Sequence, residues 1–110
     1  MFSDIERKEH IERCMSFAKN VDVIISDEFT ADIVNKLNVT HLIRGLRNGN
    51  DLEYERPIRY VNDSYNIDTI YFMTDEKTSI ISSSLVRELI KYNKPIYDLV
   101  QHSDQLLKIS

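Results

Sequence analysis

The sequence of 110 residues contains one cysteine, two glycines, two prolines and no tryptophan. A single cysteine, Cys14, excludes an internal disulfide framework and favours a reducing compartment. No apolar run approaches the roughly 20 residues needed to cross a membrane. The N-terminal stretch MFSDIERKEH also has no apolar signal core. These absences predict a cytoplasmic protein with no membrane partner.

Basic residues are also few, since 14 lysines and arginines stand against 18 aspartates and glutamates, which gives a formal charge of −4. General nucleic-acid binders need a basic footprint, so no nucleic-acid partner is expected. An acidic total does not exclude a small anionic ligand, which responds to the local field. With 42% hydrophobic residues and no low-complexity linker, the chain is expected to form a single domain over residues 1–110.

Alternating helical and β-branched segments predict the element order α-β-α-β-α-β-α-α. Ser3 and Glu6 match a capping box, which starts a helix that should extend to about Lys19. Strands are expected at 21–25, 40–44 and 68–73, and helices after Thr30, at about 51–64, from 82–84 onward, after Pro95 and over 104–109. This order indicates an α/β fold with a parallel sheet covered on both faces.

The stretch RGLRNGN follows the second predicted strand and carries Arg44 and Arg47. Ligands of parallel α/β sheets bind beyond the carboxyl ends of the strands. Guanidinium groups suit bidentate phosphate recognition. Gly45 and Gly49 would let the backbone take positive φ and approach a ligand closely. A surface turn with two solvated arginines explains the same residues.

Three serines, Ser82, Ser83 and Ser84, open the helix after the third predicted strand. A helix start exposes unpaired N–H groups and a partial positive charge, which favour phosphate. A plain N-cap with spare serines is the alternative. Because both elements follow strands at the same sheet edge, they are expected to converge on one anion site. The three histidines share no metal-ligand spacing, so no protein-bound metal is predicted.

The succession NVDVIISD, LIRGLRNGNDLEYE and YFMTDEKTSIISSSLVRELIKY resembles bacterial phosphopantetheine adenylyltransferase over about residues 2–100. That family belongs to the nucleotidyltransferase superfamily. The resemblance implies a three-layer, Rossmann-like fold. It also implies adenylyl transfer from ATP to 4′-phosphopantetheine, giving dephospho-coenzyme A and pyrophosphate in coenzyme A biosynthesis. The implied ligands are ATP, with Mg²⁺, and phosphopantetheine or coenzyme A.

The resemblance also implies a role for each candidate site residue. Arg44 and Arg47 would be catalytic, the first near the acceptor phosphate and the second as a triphosphate clamp. The ATP-binding residues would be Gly45, Arg47, Tyr54, Glu55, Ser82, Ser83 and Ser84. The phosphopantetheine-binding residues would be Arg44, Thr30 and Asn62.

One part of the family pattern has no counterpart here: the N-terminal strand, its Gly-His turn, a helix and a second strand with a lysine. The chain is therefore expected to be the C-terminal two-thirds of the fold, with a sheet opened through its middle. A complementing chain, closure of the three strands into a smaller sheet, or pairing of two copies as a homo-oligomer would each resolve this. An adenylyltransferase and an inactive nucleotide-binding, coenzyme A-binding or interaction subunit both remain open.

Overall fold

A computed structural model describes the backbone of residues 1–109 and their side chains other than those of Glu76 and Ile109. Its elements are α1 (Asp4–Cys14), α2 (Thr30–Lys36), β1 (His41–Leu46), α3 (Gly49–Ser64), β2 (Asp68–Met73), α4 (Glu76–Ser79), α5 (Ser83–Lys91) and α6 (Ser103–Ile109). The chain divides into two compact units. Unit 1 comprises Met1–Ser26 and the residues from Ile81 onward, and unit 2 comprises Asp27–Ile80.

Unit 2 contains a parallel pair of strands, which confirms the predicted α/β class. β1 and β2 pair in register from His41 opposite Asp68 to Leu46 opposite Met73. Helix α3 packs against both strands. The buried apolar side chains of this unit are Ala31, Val34, Leu46 and Ile67.

One face of the two strands in unit 2 is apolar and exposed. Alternate residues of a strand point to opposite faces, so Ile43, Ile70 and Phe72 share the face opposite Arg44. Their exposed fractions are 69%, 43% and 59%. We call this surface the open face. It departs from the prediction, because parallel sheets are ordinarily covered on both sides.

The prediction of a strand at 21–25 is wrong, since this segment forms neither strand nor helix. Within the described residues the sheet therefore has two strands, in the order β1-β2. Closure of three strands into a smaller sheet, one of the three alternatives left open above, does not occur among them. A strand obtains its backbone hydrogen bonds only from a neighbouring strand. A β-branched sequence such as VDVII therefore becomes a strand only if a neighbour lies beside it.

Unit 1 begins with the predicted capping box. The backbone N–H of Glu6 donates to Ser3 Oγ at 3.1 Å, and the N–H of Ser3 donates to Glu6 Oε1 at 2.8 Å. Helix α1 ends at Cys14, earlier than predicted, and none of its residues is buried. Without an apolar face packed in a core, little favours further helical turns.

The C-terminal part of unit 1 corrects one prediction and confirms another. The short helix predicted to begin at Pro95 is absent: residues 97–99 form turns and residue 100 a bend, and the next described helix begins at Ser103. Ile96 is nevertheless 1% exposed, and Ile90 and Leu106 are buried as well. The last predicted helix is present as α6. None of the described helices combines the length and apolar character needed to cross a bilayer.

Candidate functional site

The candidate site in unit 2 begins with a two-pronged ion pair between β1 and α3. Arg44 Nε donates to Glu55 Oε2 at 3.1 Å, and Arg44 Nη2 donates to Glu55 Oε1 at 2.6 Å. The Arg44 side chain is 40% exposed, whereas that of Glu55 is 10% exposed. The hydrogen bond to Glu55 raises the pKa of Arg44, against the opposing effect of burial. Such a charge-assisted fork fixes both the position and the plane of the guanidinium.

The second arginine, Arg47, precedes α3 and is held by Asp51, which lies one turn before Glu55 on this helix. Asp51 Oδ2 accepts from the backbone N–H of Arg47 at 2.8 Å and from Arg47 Nε at 3.4 Å. The backbone N–H of Asp51 donates to Asn48 Oδ1 at 3.1 Å, with Asn48 as the N-cap of α3. The backbone hydrogen bond from Arg47, aided by its charge, lowers the pKa of Asp51.

Together these four side chains form what we call the arginine cluster: Arg44, Arg47, Asp51 and Glu55. Asp51 and Glu55 are four residues apart, so they share one face of α3. Each holds one of the two arginines. Sequence reasoning omitted Asp51 from the site. Its signal was the spacing Asn48-x-x-Asp51, which is typical of a helix start whose side chains bond to its backbone.

The two glycines of the site do not use the positive φ that they would permit. Neither Gly45 nor Gly49 has a positive φ. Gly45 lies within β1 and Gly49 is the first residue of α3, and any residue adopts these conformations. A Cβ added at either position would meet nothing within 4 Å. A Cβ at Gly45 would point to the open face, opposite Arg44, so its absence leaves space beside Phe72 on that face.

Comparisons with known proteins identify the family of the chain. A family model described as cytidylyltransferase-like matches residues 1–89, which include the whole arginine cluster. The chain belongs to this family.

Two similar proteins within this family share one named activity. A phosphopantetheine adenylyltransferase from Streptococcus pyogenes serotype M2 (strain MGAS10270) is 43% identical over 100 residues, which cover 88% of this chain and 61% of that protein. Its counterpart from serotype M5 (strain Manfredo) is 42% identical with the same coverage. The resemblance stated above is thereby confirmed. This cytidylyltransferase-like chain spans 61% of the length of the curated relatives it matches.

The remaining predicted residues of unit 2 lie in different surroundings. Tyr54, next to Glu55 in α3, is 73% exposed. Thr30 is the exposed first residue of α2. Asn62, further along α3, is 3% exposed. Among all the site residues that the sequence predicted in unit 2, the structure joins Arg44 and Glu55 by hydrogen bonds.

The three serines start α5 as predicted, but two of their hydroxyls already have partners. Ser82 is the N-cap, and its Oγ accepts from the backbone N–H of Leu85 at 3.1 Å. Ser84 Oγ accepts from Arg87 Nη2 at 3.3 Å. The serines belong to unit 1 and the arginines to unit 2, and their convergence stays a prediction.

The lowered pKa of Asp51 predicts an acid-sensitive anchor for Arg47. Because this pKa is lower in the folded than in the unfolded chain, the contact stabilises the fold fully at a pH above the ordinary aspartate pKa. This stabilisation is lost as the pH falls through the lowered pKa of the folded state. An NMR titration of the Asp51 carboxyl carbon should show a midpoint below that of an unfolded aspartate. The Arg47 amide resonance should move with the same midpoint, and this response should be absent from D51N. A midpoint at or above the unfolded value would contradict the contact.

Proposed function

We propose that this cytidylyltransferase-like protein acts in adenylyl transfer from ATP to 4′-phosphopantetheine, giving dephospho-coenzyme A and pyrophosphate in coenzyme A biosynthesis. The observation that carries the proposal is the arginine cluster. Two part-exposed guanidiniums are held by α3, one from the C-terminal half of β1 and one from the residue that follows this strand, and ligands of α/β sheets bind beyond the carboxyl ends of the strands. The names of the similar relatives supply the substrates. The proposal places the protein in the cytoplasm.

In the proposed reaction, a phosphate oxygen of phosphopantetheine attacks the α-phosphorus of ATP. A new P–O bond forms, the bond to the β-phosphate oxygen breaks, and pyrophosphate leaves. Such transfers depend on positioning and on stabilising charge that develops on phosphoryl oxygens. Arg44 would contact the acceptor phosphate and the reacting centre, and Arg47 would clamp the triphosphate.

The other proposed contacts surround these two arginines or begin α5. An ATP contact is proposed at the backbone of Gly45, although the space that its missing side chain leaves is on the face opposite Arg44. Another is proposed at Tyr54, which follows Glu53 and precedes Glu55 in α3 and has an exposed ring. Further ATP contacts are proposed at Ser82, Ser83 and Ser84, and phosphopantetheine contacts at Thr30 and Asn62.

Magnesium would enter with the nucleotide. Among the side chains that the structure describes, no group of three or more His, Cys, Asp or Glu residues could hold a metal ion. The phosphate oxygens of ATP are hard ligands of the type that Mg²⁺ prefers, and Mg²⁺ bound to them keeps several of its waters.

Calorimetry with MgATP tests the phosphate contact. R47A should weaken ATP binding about tenfold or more, because a charge-assisted hydrogen bond to phosphate is lost. R56A is the matched control, since Arg56 carries the same charge on α3, is 72% exposed and pairs with Glu53. We expect R56A to bind ATP as the wild type does. Equal ATP affinities of R47A and the wild type would show that Arg47 does not contact the nucleotide.

A second candidate, a nucleotide- or coenzyme A-binding subunit that works only with another chain, is favoured by the open face. Ile43, Ile70 and Phe72 expose apolar surface, and the relatives are longer than this chain. Dephospho-coenzyme A formation should be measured with the chain alone and mixed with a phosphopantetheine adenylyltransferase similar to it. Light scattering on the same samples reports a homo-oligomer or a complex with the complementing chain. Turnover by the isolated chain as a monomer would reject this candidate.

A further inference from the structure

Both arginines of the candidate site have an acidic partner on the same helix. Glu55 holds Arg44 through two bonds of 3.1 and 2.6 Å. Asp51 holds Arg47 through its backbone and its side chain, at 2.8 and 3.4 Å. The four charges sum to zero, so the arginine cluster is not the positive patch that two solvated arginines would make.

A balanced cluster does not attract an anion through its net charge. What the carboxylates supply is orientation. Arginine is a long side chain with many rotamers, and ordering it during binding weakens affinity. An arginine already held by a carboxylate loses less freedom when a phosphate arrives, and its planar fork is aimed in advance.

The two arginines keep donors for a ligand while they are held. Within the described part of the chain, the bonds to Glu55 use Nε and Nη2 of Arg44, which leaves Nη1 for a further acceptor. The bond to Asp51 uses Nε of Arg47, which leaves both of its terminal nitrogens. The side chains are 40% and 50% exposed, so solvent and small anions reach them.

We propose that Asp51 and Glu55 are positioning residues, which orient Arg47 and Arg44 before the phosphates of the substrates bind. This inference rests on the proposed function, because it assigns the carboxylates a role at the same site. Glu55 would act by orienting Arg44. Asp51 would act by orienting Arg47, and it was not among the site residues predicted from the sequence. The two residues form one device because they lie one helical turn apart on α3.

The test measures binding of inorganic pyrophosphate to the full chain by calorimetry. E55Q and D51N keep the shapes of the side chains and remove the charges that hold the arginines. If the carboxylates position the arginines, each variant should bind pyrophosphate about tenfold more weakly. If they merely neutralise the arginines, each variant should bind it more tightly, and the inference is overturned.

E53Q is the matched control for the loss of one negative charge. Glu53 lies on the same helix, is 68% exposed and pairs with Arg56. E53Q should change the pyrophosphate affinity less than twofold, and losses of equal size in all three variants would contradict positioning. Pyrophosphate that fails to bind even to the wild type would reject the proposed function itself. Normal wild-type binding with unaffected E55Q and D51N would reject only the positioning role.

A second measurement does not depend on any ligand. In ¹⁵N-arginine NMR spectra, the Nε–H of Arg44 should exchange slowly with water in the wild type and quickly in E55Q. The Nε–H of Arg56, on an exposed side chain, provides the reference for fast exchange. Equally fast exchange of Arg44 and Arg56 in the wild type would show that Glu55 does not hold Arg44.

Discussion

Replacing Arg44 with alanine is expected to lower the free energy of unfolding by about 2–3 kcal/mol, because it leaves a buried carboxylate without its partner. Glu55 is 8% exposed and accepts both prongs of the Arg44 fork. The cost is placed below that of a fully buried pair because Arg44 itself is 40% exposed. Urea unfolding followed by circular dichroism measures the change on the full chain.

Two further variants show whether the stranded carboxylate is the cause. Replacing both partners, as in R44M/E55L, should recover most of the lost stability, since no buried charge remains. R59A is the surface control, because Arg59 is 55% exposed and its nearest contact to Asp63 is 3.8 Å. An R44A protein as stable as R59A would show that the pair does not stabilise the fold.

This prediction affects how functional variants of Arg44 are interpreted. If R44A unfolds more readily, its loss of ATP binding does not by itself demonstrate a phosphate contact. R44K keeps the charge but cannot form the planar fork. R44K that unfolds like the wild type and still binds ATP poorly would identify the fork, beyond the charge, as the feature that phosphate recognition requires.

Replacing Ile96 with alanine should lower the free energy of unfolding of unit 1 by about 2–5 kcal/mol. Ile96 is 1% exposed and is the largest fully buried side chain among the described residues. Truncating it removes apolar contacts and leaves a cavity that the neighbouring side chains fill only in part. Hydrogen exchange of the α5 and α6 amides, together with urea unfolding, measures the loss in this unit.

Matched variants separate packing from chain conformation at this position. I96V deletes one methylene and should cost about 1 kcal/mol. I5A removes the same apolar group from α1, where Ile5 is 63% exposed, and should change stability by less than about 0.5 kcal/mol. A similar loss for I96A and I5A would mean that Ile96 is not a core residue in solution.

Features encoded by neighbours along the chain were predictable from the sequence. The capping box of Ser3 and Glu6 and the serine start of α5 depend on side chains three residues from their partners, and both are present. The parallel pairing of β1 with β2 followed from the alternation of helices and strands. Arg44 and Arg47 were likewise singled out by residue type, but β1 extends to Leu46, so Arg44 lies inside the strand and only Arg47 follows it.

Features that depend on distant partners were decided by the tertiary structure. The VDVII segment lacks a described neighbouring strand and stays irregular, although its composition favours a strand. Ile96 is buried without the helix that was predicted for it. The fold places Glu55 against Arg44, eleven residues away along the chain, a contact that was not predicted, and its contact with ATP stays a prediction. The sequence by itself determined the capped starts of α1 and α5, because the capping bonds close within one helical turn. Only the tertiary structure decided which strands pair and that Glu55 holds Arg44, because those contacts join residues of different strands or of a strand and a helix.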